Sequence, residues 1–285
     1  MKLTQVIQNN EMILGIVTDA GIVDVPAEAA RKGIAAPGTM LEAIEGGNAA
    51  LKVLEKLAAD PECFTDGEPA PVVTGCDKIL CIGLNYRQHA KECNLPLPPA
   101  PVLFNKFSNA LAGDGACVTL SPAYVEYDYE AELVAIIGKE ARNVSEEDAL
   151  EYVFGYTCGN DLSTRDLQFA RSNQWLLSKT MDGFAPIGPC VVTADCIDPN
   201  NLAISSVVNG ELRQNSNTSD MIFTLAQIIA DLSRHFPLLP GDLIFTGTPQ
   251  GVMHGYPADQ KNWLKPGDAV DVSIENIGTL HTTFR

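Results

Sequence analysis

From Lys78 onward the sequence is a succession of short apolar runs, KILCIG, AELVAIIG, GPCVVTA, AISSVVNG, DLIFTG and AVDVSIENIG, with turn residues between them. Runs of this length, rich in Val and Ile and bounded by Gly, Pro and Asn, read as strands, and strands hide their backbone and apolar faces only by joining sheets. They do not alternate regularly with helices, which argues against a doubly wound parallel sheet and for a mixed α+β, β-rich domain over residues 74–285. Two helices are predicted within it. Ile222, Leu225, Ile229 and Leu232 form a helical stripe that Pro237 stops, and Ser145-Glu-Glu-Asp148 reads as a capping box ahead of ALEYVFGY. Residues 1–73 read as a small N-terminal α/β domain with a linker. MILGIVTDA and GIVDVPAEAA suggest a hairpin-like start, and GGNAALKVLEKLAAD a helix with Leu51, Leu54 and Leu57 near one face. The Pro-, Gly- and acid-rich stretch PECFTDGEPAPVVTG predicts a surface linker.

The charge balance narrows the partners. With a net charge of −17 over 285 residues and no cluster of Lys or Arg, the chain would be repelled by nucleic acid and by anionic membranes. No apolar run reaches the ~18 residues that span a bilayer, and the first residues lack the blocks of a signal peptide, so a cytoplasmic location is expected. The eight cysteines form no Cys-x-x-Cys pair and read as reduced, mostly structural thiols. A small anionic substrate remains compatible with the acidity if a metal ion reverses the sign locally.

Five groups of residues could carry chemistry. Glu130 and Glu132, at the head of AELVAIIG, point to one face of an extended strand, and two carboxylates held that close call for a cation or a proton; a solvated strand end is the plain alternative. In GNDLSTRDLQ, Asp161 could supply a third oxygen, while Arg165 offers a planar fork for a substrate carboxylate or, alternatively, a turn-fixing bridge to Asp166. In GLNYRQHAKE, His89 and Glu92 share a face if the segment is helical, an arrangement suited to a general base or to an ordinary surface helix. Lys179 sits in the neutral, loop-like LLSKTMDGFAPIGP, where it could hold a developing enolate. Thr248 lies in the glycine-flanked turn FTGTPQGV. His235, His254 and His281 lack catalytic neighbours in sequence, and Trp175 and Trp263 read as packing residues.

In their order, GLNYRQHAKE, the Pro-rich segment before LFNK, YDYEAELVAIIGK, GNDLSTRDLQ, SKTMDGFAPIGP, VVNGELRQ and LLPGDLIFTGTPQGV resemble the fumarylacetoacetate hydrolase superfamily from about Lys78 to Asp271. The resemblance implies a β-roll of mixed sheets, a homodimer, and a centre in which Glu130, Glu132 and Asp161 bind Mg²⁺ or Mn²⁺. It implies substrate contacts from Arg165, Gln168 and Thr248, catalytic work by Lys179, and a His89–Glu92 dyad on a lid segment. The upstream ligands of the longer, name-giving hydrolases are missing, so the similarity is to the shorter branch. The expected activity is metal-dependent hydrolysis of a C–C bond in a 2,4-dioxo acid of the acylpyruvate or fumarylpyruvate type. Decarboxylation of oxaloacetate or a related 2-oxo acid, isomerisation of 2-hydroxyhepta-2,4-diene-1,7-dioate, and a non-catalytic ligand-binding homologue are the alternatives.

Overall fold

The strand Ala131–Ile137 and its antiparallel neighbour Val153–Asn160 are buried at every position. A strand covered on both faces has no use for polar alternation, which is why AELVAII is apolar throughout apart from Glu132. These two strands lie at the middle of a mixed sheet in the computed structural model, which describes residues 1–170 and 174–285. From one edge the order is Phe64–Thr65, Gly21–Asp24, Glu11–Thr18, Lys2–Gln8, Ala185–Thr193, Val153–Asn160, Ala131–Ile137, Leu243–Phe245, Ile79–Gly83 and Val102–Lys106. Leu243–Phe245 runs parallel to Ile79–Gly83, and the other pairs along this path are antiparallel. A second sheet, ordered Glu211–Asn217, Ala203–Val208, Ala269–Ile274, Gly278–Phe284 and Ala116–Val118, packs its middle strands against the central strands of the first. The expected β-rich architecture of mixed sheets is therefore the one observed.

The helix predicted before Pro237 is Leu225–His235, closed at its start by a reciprocal cap between Thr224 and Gln227. Its apolar stripe, Leu225, Ile228, Ile229 and Leu232, is buried. ALEYVFGY departs from expectation. Only Ala149–Tyr152 winds, as one 3-10 turn, and Val153 opens the long central strand, because burial between two sheets outweighs the local cap and Val, Phe and Tyr suit extended backbone. APIGP is likewise strand, within Ala185–Thr193, rather than loop.

The N-terminal hairpin Glu11–Thr18/Gly21–Asp24 forms as expected and leads into the helix Val25–Lys32, capped by Asp24 and with proline in its first turn. The next helix begins earlier than its apolar stripe suggests, spanning Met40–Ala58 with a break at Gly47. The stretch expected to be a surface linker instead contributes Phe64–Thr65 and Glu68–Pro69 to the sheet and buries Val72 and Val73. Pro69 fits because that strand pairs only at the margin. Lys2 and Leu3 pair with Val192 and Val191, so one sheet runs without interruption from the N-terminal segment into the rest of the chain. Among the described residues no helix is long and apolar enough to cross a membrane.

Continuity of the sheet predicts that the two parts unfold together. Leu3→Ala, at a fully buried position, should cost about 2–5 kcal/mol and shift one unfolding transition in urea as a whole. An early partial transition that moves alone would show that residues 1–73 unfold independently.

Candidate metal centre and active site

Glu130 and Glu132 stand at the mouth of the central strand on one face of the sheet, and Asp161 directly follows the neighbouring strand. The register pairs Ala131 with Asn160. Asn160 Oδ1 accepts from the Glu130 amide at 3.0 Å, and the Asp161 amide donates to the Glu130 carbonyl at 2.9 Å. With the backbone fixed in this way, carboxylate oxygens of Glu130, Glu132 and Asp161 lie within 4.8 Å of one another, and all three residues are buried. At that separation each ionised pair repels by about 3 kcal/mol at an effective dielectric of ~20.

Three buried cations answer this repulsion. Lys179 Nζ donates to Glu130 Oε2 at 2.7 Å and to Asp161 Oδ2 at 2.8 Å. Arg165 donates through Nε to Asp128 at 2.8 Å and through Nη2 to Glu130, while its Nη1 reaches Gln168 at 3.0 Å. Lys106 Nζ lies 2.6 Å from Asp161 Oδ1. Burial alone would raise the Glu130 carboxyl, but Lys179 and Arg165 outweigh it and hold the group at about 2. Glu132 has no such partner among the described residues; it accepts only from the Gly247 amide, at 2.8 Å. Burial first, then the charges of Asp161 and Glu130, push its carboxyl well above the usual range. With Asp128, four buried carboxylates face three buried cations among the described residues, and Glu132 is the carboxylate that none of these three contacts.

The donor set fits a hard divalent ion. All three residues offer oxygen. Lys106 directs its hydrogen bonds to the carbonyls of Leu162, Lys179 and Phe184, so its contact with Asp161 Oδ1 is an ion pair and not an aligned hydrogen bond. A divalent ion held by Glu130, Glu132 and Asp161 would also turn the net charge of the cluster positive, the sign an anionic substrate requires.

His89 and Glu92 are on the helix Arg87–Glu92, so their three-residue spacing does bring them to one face. His89 Nδ1 is 3.2 Å from Glu92 Oε2, and the Gly251 amide holds Glu92 at 3.0 Å. Burial lowers the imidazole, but the contacts with Cys93 and Glu92 prevail and lift it to about 9, so the ring carries a proton at neutral pH. His89 shares one cavity of about 250 Å³ with Glu130, Glu132, Asp161, Arg165, Gln168, Lys179 and Thr248. Eight of the nine residues singled out from the sequence thus line a single space. The ninth, Glu92, touches it through His89.

The rest of the wall was not legible in advance. Trp175, read as a packing residue, lines the cavity; it meets Phe104 edge-on at 5.5 Å and crosses so close to Gly83 that a Cβ there would fall 2.4 Å from its ring. His254 stacks on Phe169 at 5.0 Å and is lowered to about 4 by burial and then by Arg165, so it is neutral. Asp128, two residues before Glu130, holds Arg165 and accepts from the amides of Met253 and His254. Gln214 donates to Thr248 Oγ1 at 2.8 Å. Arg165 bridges Asp128 and Glu130 rather than Asp166, which accepts from the Val125 amide. One signal was available for Lys106: it is a lone cation inside the short run LFNK, and its side chain is completely buried.

Glu132→Gln separates the electrostatic roles. It strands no buried cation, so without added metal its Tm should equal or exceed that of the parent, while calorimetric Mn²⁺ affinity falls at least about tenfold. Loss of stability together with unchanged affinity would remove Glu132 from the metal centre.

Residues 78–285 match the family model described as "Fumarylacetoacetate (FAA) hydrolase C-terminal". The chain is 47% identical over 222 residues to the fumarylacetoacetate hydrolase domain-containing protein 2 homolog of Dictyostelium discoideum, covering 74% of this chain and 72% of that one. It is 42% identical over 251 residues to the mitochondrial oxaloacetate tautomerase Fahd2a of Rattus norvegicus, covering 86% and 79%. Among solved structures it is similar to a fumarylacetoacetate hydrolase from the psychrophile Exiguobacterium antarcticum, with TM-score 0.86 and 33% identity over 100% of this chain and 99% of the other. Sequence, fold and the acidic cavity thus agree: this chain belongs to the fumarylacetoacetate hydrolase family.

Proposed function

We propose that this protein is a divalent-cation-dependent tautomerase of a small 2-oxo acid, with oxaloacetate as the first substrate to test and Mg²⁺ or Mn²⁺ as the cation. The observation that carries this reading is the His89 imidazole, paired with Glu92, in one cavity with three carboxylates suited to a cation. Similarity to the rat oxaloacetate tautomerase supports the choice of substrate. Glu130, Glu132 and Asp161 would hold the cation, which would supply Lewis-acid stabilisation of negative charge developing on the substrate's oxygen.

The remaining work falls to side chains. Glu92 engages Nδ1 of His89, which leaves Nε2 for the substrate; His89 would deliver a proton to C3 in the ketonising direction and recover it in the reverse. The enol hydroxyl would lose its proton to solvent as its oxygen binds, and Lys179, an ammonium held between Glu130 and Asp161, would donate a hydrogen bond to the negative charge left there. Arg165 and Gln168 would orient a carboxylate, and Thr248, turned by Gln214, would donate its hydroxyl to the substrate. One proton leaves oxygen and one reaches carbon. No C–C bond breaks and no water enters.

Hydrolysis of an acylpyruvate or fumarylpyruvate is the second reading, favoured by the solved hydrolase that this chain resembles and by the apolar wall of Leu95, Phe169 and Trp175, which suits a longer acyl tail. There His89 would first have to give up its proton to activate water. Decarboxylation would use the same three carboxylates to hold the cation.

A panel of oxaloacetate, acetylpyruvate, fumarylpyruvate and a hydroxydienedioate with Mg²⁺ separates these activities. Enol absorbance should relax fastest with oxaloacetate, ahead of pyruvate release and acylpyruvate loss; faster cleavage of an acylpyruvate would replace the tautomerase reading with the hydrolase one. His89→Ala should slow tautomerisation by about 100-fold or more while Mn²⁺ affinity stays unchanged. Cation binding without turnover of any of the four would point to a non-catalytic homologue.

A further inference from the structure

The helix turn that presents His89 carries a third metal-ligating side chain. His89, Glu92 and Cys93 are spaced i, i+3 and i+4, which brings them to one face, and one ligand atom from each lies within 4.8 Å of the others. His89 Nδ1 is 3.2 Å from Glu92 Oε2 and 4.0 Å from Cys93 Sγ. A tetrahedral Zn²⁺ with bonds of about 2.0–2.1 Å to nitrogen and oxygen and about 2.3 Å to sulfur separates N from O by about 3.3 Å and N from S by about 3.6 Å. The two distances found here already lie within a few tenths of an ångström of those values.

Two further features suit a cation. The Gly251 amide, 3.0 Å from Oε1 and 3.3 Å from Oε2 of Glu92, fixes that carboxylate in place. His89 and Cys93 both line the cavity, so an ion can enter from solvent, and a water or substrate oxygen can complete the fourth position. The donor set is also of a different kind from the all-oxygen cluster: imidazole and thiolate favour Zn²⁺ over Mg²⁺.

We propose that His89 Nδ1, the Glu92 carboxylate and Cys93 Sγ form a second cation site, selective for Zn²⁺ or another thiophilic divalent ion, whose occupation shuts off turnover by capturing the His89–Glu92 pair. Binding releases the Cys93 thiol proton and any proton on His89 to solvent. The inhibitory half of the proposal rests on the proton-transfer role of His89; the binding half does not.

Co²⁺ is the probe, added to protein already saturated with Mg²⁺. One equivalent should produce a thiolate-to-cobalt charge-transfer band in the near ultraviolet that Zn²⁺ erases and that Cys93→Ser never develops. In the same Mg²⁺-saturated protein, the Zn²⁺ concentration that halves oxaloacetate tautomerisation should rise by about tenfold or more in Cys93→Ser. Absence of the band, or its persistence in the variant, overturns the site. Equal inhibition of parent and variant overturns the switch, because Zn²⁺ would then be acting at the carboxylate cluster. A Cys93-dependent band in a protein that turns over none of the four acids upholds the site and removes the catalytic reading instead.

Discussion

The candidate metal centre depends on the antiparallel register between Ala131–Ile137 and Val153–Asn160. Because side chains alternate along a strand, a slip of one residue would turn Glu130 and Glu132 away from the cavity and bring Ala131 and Leu133 in. The register is enforced twice over. Apolar side chains on both faces of the two strands bury only in this alignment, and the crossed contacts of Glu130 with Asn160 and Asp161 bind the ends of the strands just where the carboxylates emerge. A metal centre built on strand termini inherits the rigidity of the sheet, which loops alone would not supply.

Concentrating acid in a buried place is expensive, and the chain meets that cost with cations from three separate segments: Lys106 at the end of an outer strand, Arg165 at the start of a short helix and Lys179 at the end of another. Lys106 is the most thoroughly enclosed of these. Its ammonium gathers the carbonyls of Leu162, Lys179 and Phe184, which belong to the segments that deliver Asp161 and Lys179. Buried ion pairs seldom stabilise a fold on balance, so the network is better understood as fixing geometry than as adding stability. Among the described residues its deficit is at Glu132, which accepts from the Gly247 amide and meets no cation, and a divalent ion would gain most from entering there.

Much of this was legible in the sequence, for physical reasons that can be named. Period-two alternation placed Glu130 with Glu132, helical spacing placed His89 with Glu92, and the order of motifs supplied Asp161, Lys179 and Thr248. Residues whose role is set by distant partners were not legible. Asp128 looks like any acid until Arg165 and the amides of Met253 and His254 converge on it, and Trp175 joins the cavity only because Gly83 leaves space for its ring. The misread helix at ALEYVFGY has the same origin: a local capping signal was correct over four residues and then gave way to a sheet assembled from the far ends of the chain.

Gln214 has a consequence for how the protein is made. It belongs to the outer strand of the second sheet, yet its side-chain Oε1 accepts from the Ala131 amide, at the root of the candidate metal centre, and its Nε2 donates to Thr248 and to the Pro249 carbonyl. Neither sheet alone completes this junction. The junction therefore closes only once the two sheets have docked, so a nascent chain with a well-formed first sheet would still lack a finished pocket, and a complete pocket becomes a report that assembly has ended.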